Sequence, residues 1–352
     1  MIRPVSFRSA LAIIWMATLW AGHGEDLGGK KIQPVVVTET TPHDTDDPAI
    51  WINAADPLQS LILGTDKDSD GGLYAFDLAG RIVRKVTGLK RPNNVDVLRG
   101  FALGGKAVDI AVLTEREKQR LRVFRLPDLE PLERVDLIVF DGDTTRAPMG
   151  IALYQRPRDQ AAFAIVSGKS GPAEGYLWQY RLEDDGQGFV KMALVRKFGA
   201  FSGKKEIEAV AVDAAAGSVY YSDEHFGIRE YAADPDAPGA GEPRSVFGTD
   251  GFTKDREGIA IYPVDGKAGY LLVSDQQANT FRIFNREAPH ELVKVASLST
   301  VESDGSDLTP VPLGPKFPGG LFVAMSSDRT FHFYSWADIA GGELKSAALP
   351  VK

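Results

Sequence analysis

The chain has 352 residues, and 43% of them are hydrophobic, which is enough for a sizeable core. Acidic residues exceed basic ones by 48 to 40, which argues against nucleic acids and anionic membrane surfaces as partners. There is no cysteine, so packing or bound metal, rather than disulfides, must stabilise the fold.

The first predicted element is a secretory signal peptide over residues 1–24. Arg3 and Arg8 provide a positively charged start, an apolar run follows from Ala10 to Trp20, and small residues surround the expected cleavage position near residue 24. This run is too short for a comfortable membrane span, although an N-terminal anchor is the alternative. We therefore expect an exported protein, periplasmic or extracellular, with no membrane partner.

From residue 25 to residue 352 the sequence predicts an all-β domain built from six repeats. An apolar triplet, a small residue and a polar pair recur as "LILGTDK", "AVLTER", "AIVSGK", "VYYSDE" and "LLVSDQ", and more loosely as "LFVAMSS". A shorter strand precedes each phrase and an aromatic strand follows it. Six units of about 50 residues predict a six-bladed β-propeller. A β-sandwich or two smaller β domains are the alternatives.

The segment "KIQPVVVTET" has no repeat of its own. We expect it to form the outer strand of the last blade, which would close the ring and remove an exposed sheet edge. Closed propellers are often monomers, and a monomer is the expectation here.

Equivalent positions of the blades should form two rings of side chains at one end of the central channel. The first ring, at the start of the inner strands, reads Asp47, Asn94 with Asp96, Met149, Glu208, Glu257 and Asp304. The second ring, at the end of the repeated phrases, reads Lys67, Arg116, Lys169, Glu224, Gln276 and then Met325 or Ser326. The cations fall in blades one to three. The acids fall in blades four to six and, through Asp46 and Asp47, in the adjoining blade one.

The acidic half of these rings predicts a metal site. Two carboxylates ~4 Å apart repel by about 4 kcal/mol at an effective dielectric constant near 20, so a cation is needed among them. Oxygen ligands without cysteine, and with only 5 scattered histidines, favour Ca²⁺ over Zn²⁺ or copper. The three cations of the other half are suited to phosphate groups next to the metal.

Several phrases between about residues 33 and 340 belong to a known family pattern. They are "DDPAIWIN", "GTDK", "NNVDV", "VSGKSG", "DREGIAIY", "LLVSDQQAN" and "SDG...LGPKFPGGLFVAMSSD". In these phrases the sequence resembles the β-propeller phytases, which are calcium-dependent exported phosphatases that act on myo-inositol hexakisphosphate (phytate). The resemblance implies that several Ca²⁺ ions are bound and that the substrate is a phytate-like phosphate ester, taken as its calcium complex.

The resemblance also implies roles for individual residues. Catalytic roles fall on Lys67, Arg116, Lys169, Glu208 and Glu257, and substrate binding falls on the same three cations and on Gln276. Metal ligation falls on Asp46, Asp47, Glu208, Glu224, Asp255, Glu257 and Asp304. In this family one phosphate is cleaved while the adjacent one is held, and water activated between calcium ions attacks without a covalent enzyme intermediate. Neutral to alkaline activity is expected.

Four features depart from the family pattern. Met149 replaces a usual tyrosine, Ser170 replaces the glutamate of a Lys-Glu pair, Asp68 replaces a second lysine, and the loop before Asp304 is short. Each change removes a phosphate or metal contact, so a related phosphate ester is an alternative substrate. Two other functions stay open: a calcium-dependent lactonase-type propeller hydrolase, and a non-catalytic propeller that binds a polyanion or a protein.

Overall fold

The computed structural model describes residues 31–348, and the predicted signal peptide lies outside them. Six antiparallel sheets are arranged as the blades of a β-propeller, as the repeats predict. The inner strands of successive blades contact one another in a closed cycle, in which blade six returns to blade one. Within the described residues, no helix is both long and apolar enough to cross a membrane.

The strands follow the chain from the inside of each blade to its outside. The N-terminal strand is β1 (Val36–Val37), and blade one contains β2 (Thr45–Trp51), β3 (Leu61–Asp66), β4 (Gly71–Phe76) and β5 (Ile82–Leu89). Blade two contains β6 (Pro92–Leu103), β7 (Lys106–Glu115), β8 (Arg120–Arg125), β9 (Glu130–Pro131) and β10 (Leu137–Ile138). Blade three contains β11 (Pro148–Gln155), β12 (Ala162–Gly168), β13 (Glu174–Asp184) and β14 (Val190–Ala200).

The second half of the ring repeats this order. Blade four contains β15 (Val210–Asp213), β16 (Ser218–Asp223), β17 (Gly227–Ala232) and β18 (Ser245–Phe247). Blade five contains β19 (Arg256–Asp265), β20 (Ala268–Asp275), β21 (Thr280–Asn285) and β22 (Leu292–Ser297). Blade six contains β23 (Ser306–Thr309), β24 (Leu321–Ser326) and β25 (Thr330–Ser335), followed by the short helix α1 (Trp336–Ala340). Single 3₁₀ turns span Pro57–Gln59, Arg116–Lys118, Phe140–Gly142 and Gln276–Ala278.

The apolar triplet of each repeat forms a strand that is buried on both faces. Successive side chains of a strand point to opposite faces, so neighbouring residues of the triplet enter the cores on either side of their blade. Ile62 packs in the core shared with blade six, and Leu63 packs in the core shared with blade two. Six such cores, one between each pair of neighbouring blades, hold the ring together.

The ring is closed by the N-terminal strand, as predicted. β1 pairs antiparallel with β25, with Val36 opposite Phe333 and Val37 opposite His332. Thr38 extends this contact, because its hydroxyl accepts a hydrogen bond of 2.9 Å from the Phe331 backbone N–H. Blade six therefore receives its fourth strand from the other end of the chain.

Candidate active site

The residue that ends each repeated phrase is fixed by the same backbone hydrogen bond in all six blades. Its N–H donates to a carbonyl oxygen just ahead of the inner strand, over 2.7–3.2 Å. The six pairs are Lys67–Asp44, Arg116–Arg91, Lys169–Ala147, Glu224–Glu206, Gln276–Asp255 and Ser327–Val301. The second ring is therefore real. Its sixth member is Ser327, because Met325 is buried in a core and Ser326 accepts the Val301 N–H at its hydroxyl.

The acid that precedes four of these ring residues has a structural role. The buried carboxylates of Asp66, Glu115, Asp223 and Asp275 accept backbone N–H bonds from the loop that leads into the inner strand. Because these bonds satisfy carboxylates that would otherwise be buried without a partner, they also stabilise the backbone that presents the ring. In these four pairs the first residue holds the loop, and the ring position falls to the second residue.

Two glycines allow the acids of neighbouring blades to converge. A β-carbon on Gly258 would lie 2.8 Å from Ser306 Oγ and 2.9 Å from Asp304 O, and one on Gly305 would lie 2.4 Å from Asp47 Oδ1. The glycines follow Glu257 and Asp304 directly in the sequence. Since a larger residue would push the inner strands apart, these glycines bring blades five, six and one together at the site.

Lys67 lies between acids of two different blades. Its Nζ is 2.6 Å from Asp46 Oδ1 and 2.6 Å from Asp304 Oδ2. Burial alone would lower the pKa of Lys67, but the neighbouring carboxylates outweigh it and raise the pKa above its usual value. The ammonium group is therefore charged, and Gln276 Nε2 donates to the other oxygen of Asp304. The structure thus brings together Lys67, Asp46, Asp304 and Gln276 from blades one, five and six.

Asn93 connects the cationic half of the pocket to the acidic half. Its Nδ2 donates to Asp46 Oδ2 over 2.8 Å and to Glu208 Oε1 over 2.5 Å, and its Oδ1 accepts from Arg116 Nη1 over 3.0 Å. The sequence analysis assigned no site role to Asn93. The signal was present, because "NNVDV" aligns with "DDPAI" and so puts Asn93 at the position of Asp46.

The acidic half contains a compact group of carboxylates. One oxygen each from Glu206, Glu208 and Glu224 lie within 4.8 Å of one another. Glu206 was not predicted, although its spacing of two residues from Glu208 suits side chains on one face of an extended chain. It also pairs with Lys169, whose side chain is half-exposed and whose Nζ is 3.1 Å from Glu206 Oε2. All three predicted cations are thus tied to this pocket.

Lys205 is a further site residue that sequence analysis missed. Its Nζ lies 2.5 Å from Glu224 Oε2, 3.3 Å from Asp255 Oδ2 and 3.4 Å from Glu257 Oε1. Burial opposes the charge on Lys205, but the three acids raise its pKa above the usual value. The side chain reaches across from the loop before blade four to acids of blade five, which no repeat pattern records.

The pKa values of the acids show that the cluster is crowded with negative charge. Part of the Glu208 side chain faces solvent, yet the protein around its carboxylate removes most of the water. That loss of hydration, with Asp46 and Glu257 nearby, raises the Glu208 pKa well above its usual range. Desolvation likewise raises the pKa of Glu224 to about 8. It also raises the pKa of Glu257 well above normal, with Glu224 and Asp304 contributing.

The residues present fit a hard divalent cation. The side-chain oxygens Glu224 Oε1 and Glu257 Oε2 are buried and accept no hydrogen bond from residues 31–348. Buried carboxylate oxygens without a donor are costly unless a cation neutralises them. Asp255 is better satisfied, because hydrogen bonds from His225 and Gln277 and the charge of Lys205 overcome desolvation and lower its pKa.

Asp47 lies toward the central channel. Its Oδ2 accepts the Val95 N–H over 3.1 Å, and it lines a channel cavity of about 170 Å³ together with Asp96 and Asp307. These two acids make the same kind of bond, since Asp96 accepts from Leu153 N and Asp307 from Ile50 N. Each carboxylate thus joins its own inner strand to that of the next blade. Ligation of metal by Asp47 stays a prediction.

Two of the family departures have structural explanations. Met149 is buried, and its carbonyl oxygen accepts the Thr114 hydroxyl, a bond between blades two and three. Ser170 Oγ donates to the Thr145 carbonyl oxygen over 2.5 Å, so this hydroxyl stabilises the loop that carries Lys169. Neither residue offers the pocket the group that the family usually places there.

A six-bladed propeller with three cations next to buried acids suits one class of protein, the metal-dependent hydrolases of phosphate esters. A sequence model of the Phytase family matches residues 17–333. The 3-phytase of Bacillus subtilis (strain 168) is 30% identical over 328 residues, which cover 86% of this chain and 83% of that protein. The chain therefore belongs to the phytase family and is a phosphoric monoester hydrolase, as the resemblance implies.

Solved structures agree on the architecture. A luciferin-regenerating enzyme is 13% identical with a TM-score of 0.53, and the match covers 91% of this chain and 99% of that chain. Regucalcin, a calcium-binding protein from Agrobacterium tumefaciens strain C58, is 10% identical with a TM-score of 0.53, covering 92% of this chain and 100% of that chain. At these identities the likeness shows the fold alone.

Proposed function

We propose that the protein removes phosphate from phytate in a calcium-dependent reaction. The observation that carries the proposal is the meeting of the two halves of the pocket. Lys67 is held between Asp46 and Asp304, and Arg116 is joined through Asn93 to Glu208. Fixed cations and metal-binding acids within one pocket are what hydrolysis of a polyphosphorylated ester requires.

Each half of the pocket has its own task. Lys67, Arg116 and Lys169 neutralise phosphate oxygens, and their links to the acids hold them in place before the substrate arrives. The ligands proposed for calcium are Asp46, Glu208, Glu224, Asp255, Glu257 and Asp304. Carboxylate oxygens of this number suit Ca²⁺, which takes 6–8 oxygen ligands. A bound Ca²⁺ would polarise the phosphoryl group and lower the pKa of a coordinated water.

We propose phytate as the substrate class. Because Met149 and Ser170 offer no phosphate contact, we expect weaker holding of the phosphate next to the one that is cleaved. A panel of phosphate esters, assayed with added calcium, measures this preference. A sugar phosphate that is cleaved with a higher kcat/KM than phytate would replace phytate in the proposal.

The central experiment is phosphate release from phytate, with calcium and after chelation. Release should need calcium and should be abolished in Lys67→Ala. Lys191→Ala, at a lysine exposed on the outer strand β14, is the matched control and should keep the wild-type rate. Equal rates before and after chelation would end the metal-dependent proposal. Full activity in Lys67→Ala would remove Lys67 from the mechanism. No phosphate release by the wild type with calcium would leave the lactonase-type or binding alternatives.

Two further expectations belong to this proposal. The exported form should begin near residue 25, which N-terminal sequencing of protein from the periplasm or medium tests. The protein should be monomeric, which gel filtration with light scattering tests. A mature protein that keeps residues 1–24 would favour the N-terminal anchor.

A further inference from the structure

One lysine occupies the space among the acids where a metal ion is expected to bind. Lys205 Nζ contacts oxygens of Glu224, Asp255 and Glu257 at 2.5–3.4 Å. Calcium binds carboxylate oxygens at about 2.3–2.6 Å. A calcium ion that uses the same oxygens must therefore displace the ammonium group or share its ligands with it.

The ammonium group supplies a positive charge that these acids otherwise lack. The neighbouring oxygens Glu224 Oε1 and Glu257 Oε2 have no hydrogen-bond donor within residues 31–348. The other lysine among the acids, Lys67, is paired with Asp46 and Asp304, so the two lysines contact different acids of the cluster. Lys205 thus stabilises the corner of the pocket formed by Glu224 of blade four and by Asp255 and Glu257 of blade five.

We propose that Lys205 is a tethered competitor for calcium at the Glu224–Asp255–Glu257 corner, which sets how much calcium the enzyme needs. This inference rests on the proposed metal-dependent function. The lysine side chain is long, and that of Lys205 is about one-third exposed, so it can leave the corner for solvent when a divalent ion enters. Calcium binding at this corner then includes the loss of three ion pairs. The free energy lost with these ion pairs weakens calcium affinity, and the same ion pairs keep the fold stable at low calcium.

The test is a calcium titration of the full-length mature protein followed by calorimetry, with thermal unfolding measured in parallel. Lys205→Met should bind calcium at this corner at least about tenfold more tightly, because close charge pairs couple by that factor or more. In chelator, Lys205→Met should unfold at a lower temperature than wild type. With saturating calcium the two should unfold at similar temperatures.

Lys204→Met is the matched control for net charge. Lys204 is the adjacent residue, is exposed, and donates to the His225 carbonyl oxygen rather than to an acid. The Lys204→Met variant should have a calcium affinity within about twofold of wild type. Lys205→Arg keeps the charge and should keep weak binding. If Lys205→Met does not fold in chelator, Lys205→Gln takes its place in the same titration.

The outcomes separate this inference from the proposed function. Wild-type protein that binds no calcium would end both. Wild-type protein that binds calcium, with Lys205→Met binding equally or more weakly, would overturn only the role of Lys205. An equal gain in affinity in Lys204→Met would also overturn it, because net charge rather than competition at the corner would then explain the effect.

Discussion

Replacing Asn93 with alanine should separate the two halves of the pocket. The Asn93 side chain is fully buried, donates to the carboxylates of Asp46 and Glu208, and accepts from Arg116. Hydrogen bonds to charged groups contribute about 1.5–3 kcal/mol each, and two such bonds to acids are lost. Water that enters the vacated volume restores part of this. We therefore expect the free energy of unfolding to fall by about 2–4 kcal/mol without added calcium.

The same substitution should release Arg116 from its orientation. A misplaced phosphate-binding group lowers the rate by about 10- to 100-fold, so kcat/KM for phosphate release from phytate should fall by that factor. Urea unfolding measures the stability change on the same protein. Asn94→Ala is the control, because Asn94 Oδ1 accepts one neutral bond from Asn93, worth about 1 kcal/mol. An Asn93→Ala enzyme with wild-type kcat/KM would refute the reasoning, as would equal destabilisation by the control.

Three further predictions concern single side chains. Gly150→Ala places a β-carbon 1.7 Å from a carbonyl oxygen of blade four, so the free energy of unfolding measured in urea should fall by about 3 kcal/mol or more. A fall of less than about 1 kcal/mol would contradict this prediction. Burial would raise the pKa of Glu230, but hydrogen bonds from His290 and two serines lower it to about 2. Because this pKa lies below the unfolded value, ionised Glu230 stabilises the fold above about pH 5, and that stabilisation is lost as the pH falls toward about 2. The stability difference between wild type and Glu230→Gln should shrink over this range, and a constant difference would count against the pairing. Lys169→Met breaks the pair between the half-exposed Lys169 and Glu206, so the free energy of unfolding should change by less than about 1 kcal/mol while KM for phytate rises. An unchanged KM would remove Lys169 from substrate binding.

The architecture could be predicted because it is repeated. Six phrases with one pattern fix six blades, and a segment without a repeat of its own identifies the closing strand β1. Alternation along each buried strand, as for Ile62 and Leu63, follows from elementary strand geometry. The placement of Lys67, Arg116 and Glu224 also follows, because each ends the same phrase and makes the same backbone bond.

The residues that were missed lie where the repeat gives no information. Lys205 and Glu206 belong to the loop before an inner strand, and Lys205 acts only because its long side chain crosses to the next blade. Asp47 was predicted in the channel ring, but its bond from the Val95 N–H depends on the approach of a neighbouring strand, which sequence spacing does not encode. The sixth ring position was misassigned because blade six has "MSSD", whereas the phrases of the other blades end clearly on a charged or amide residue.

The closing contact between β1 and β25 has a consequence for how the molecule assembles. Val36 needs Phe333 as its partner, so the last sheet is incomplete until almost the whole polypeptide has been synthesised. Contacts between such distant residues form late, since the intervening chain must first be ordered. Blades one to five can pack in succession, whereas the pairing of β1 with β25 forms only at the end. A chain that stops before β25 would leave the sheet of blade six incomplete and the core between blades six and one exposed, so the ring could not close.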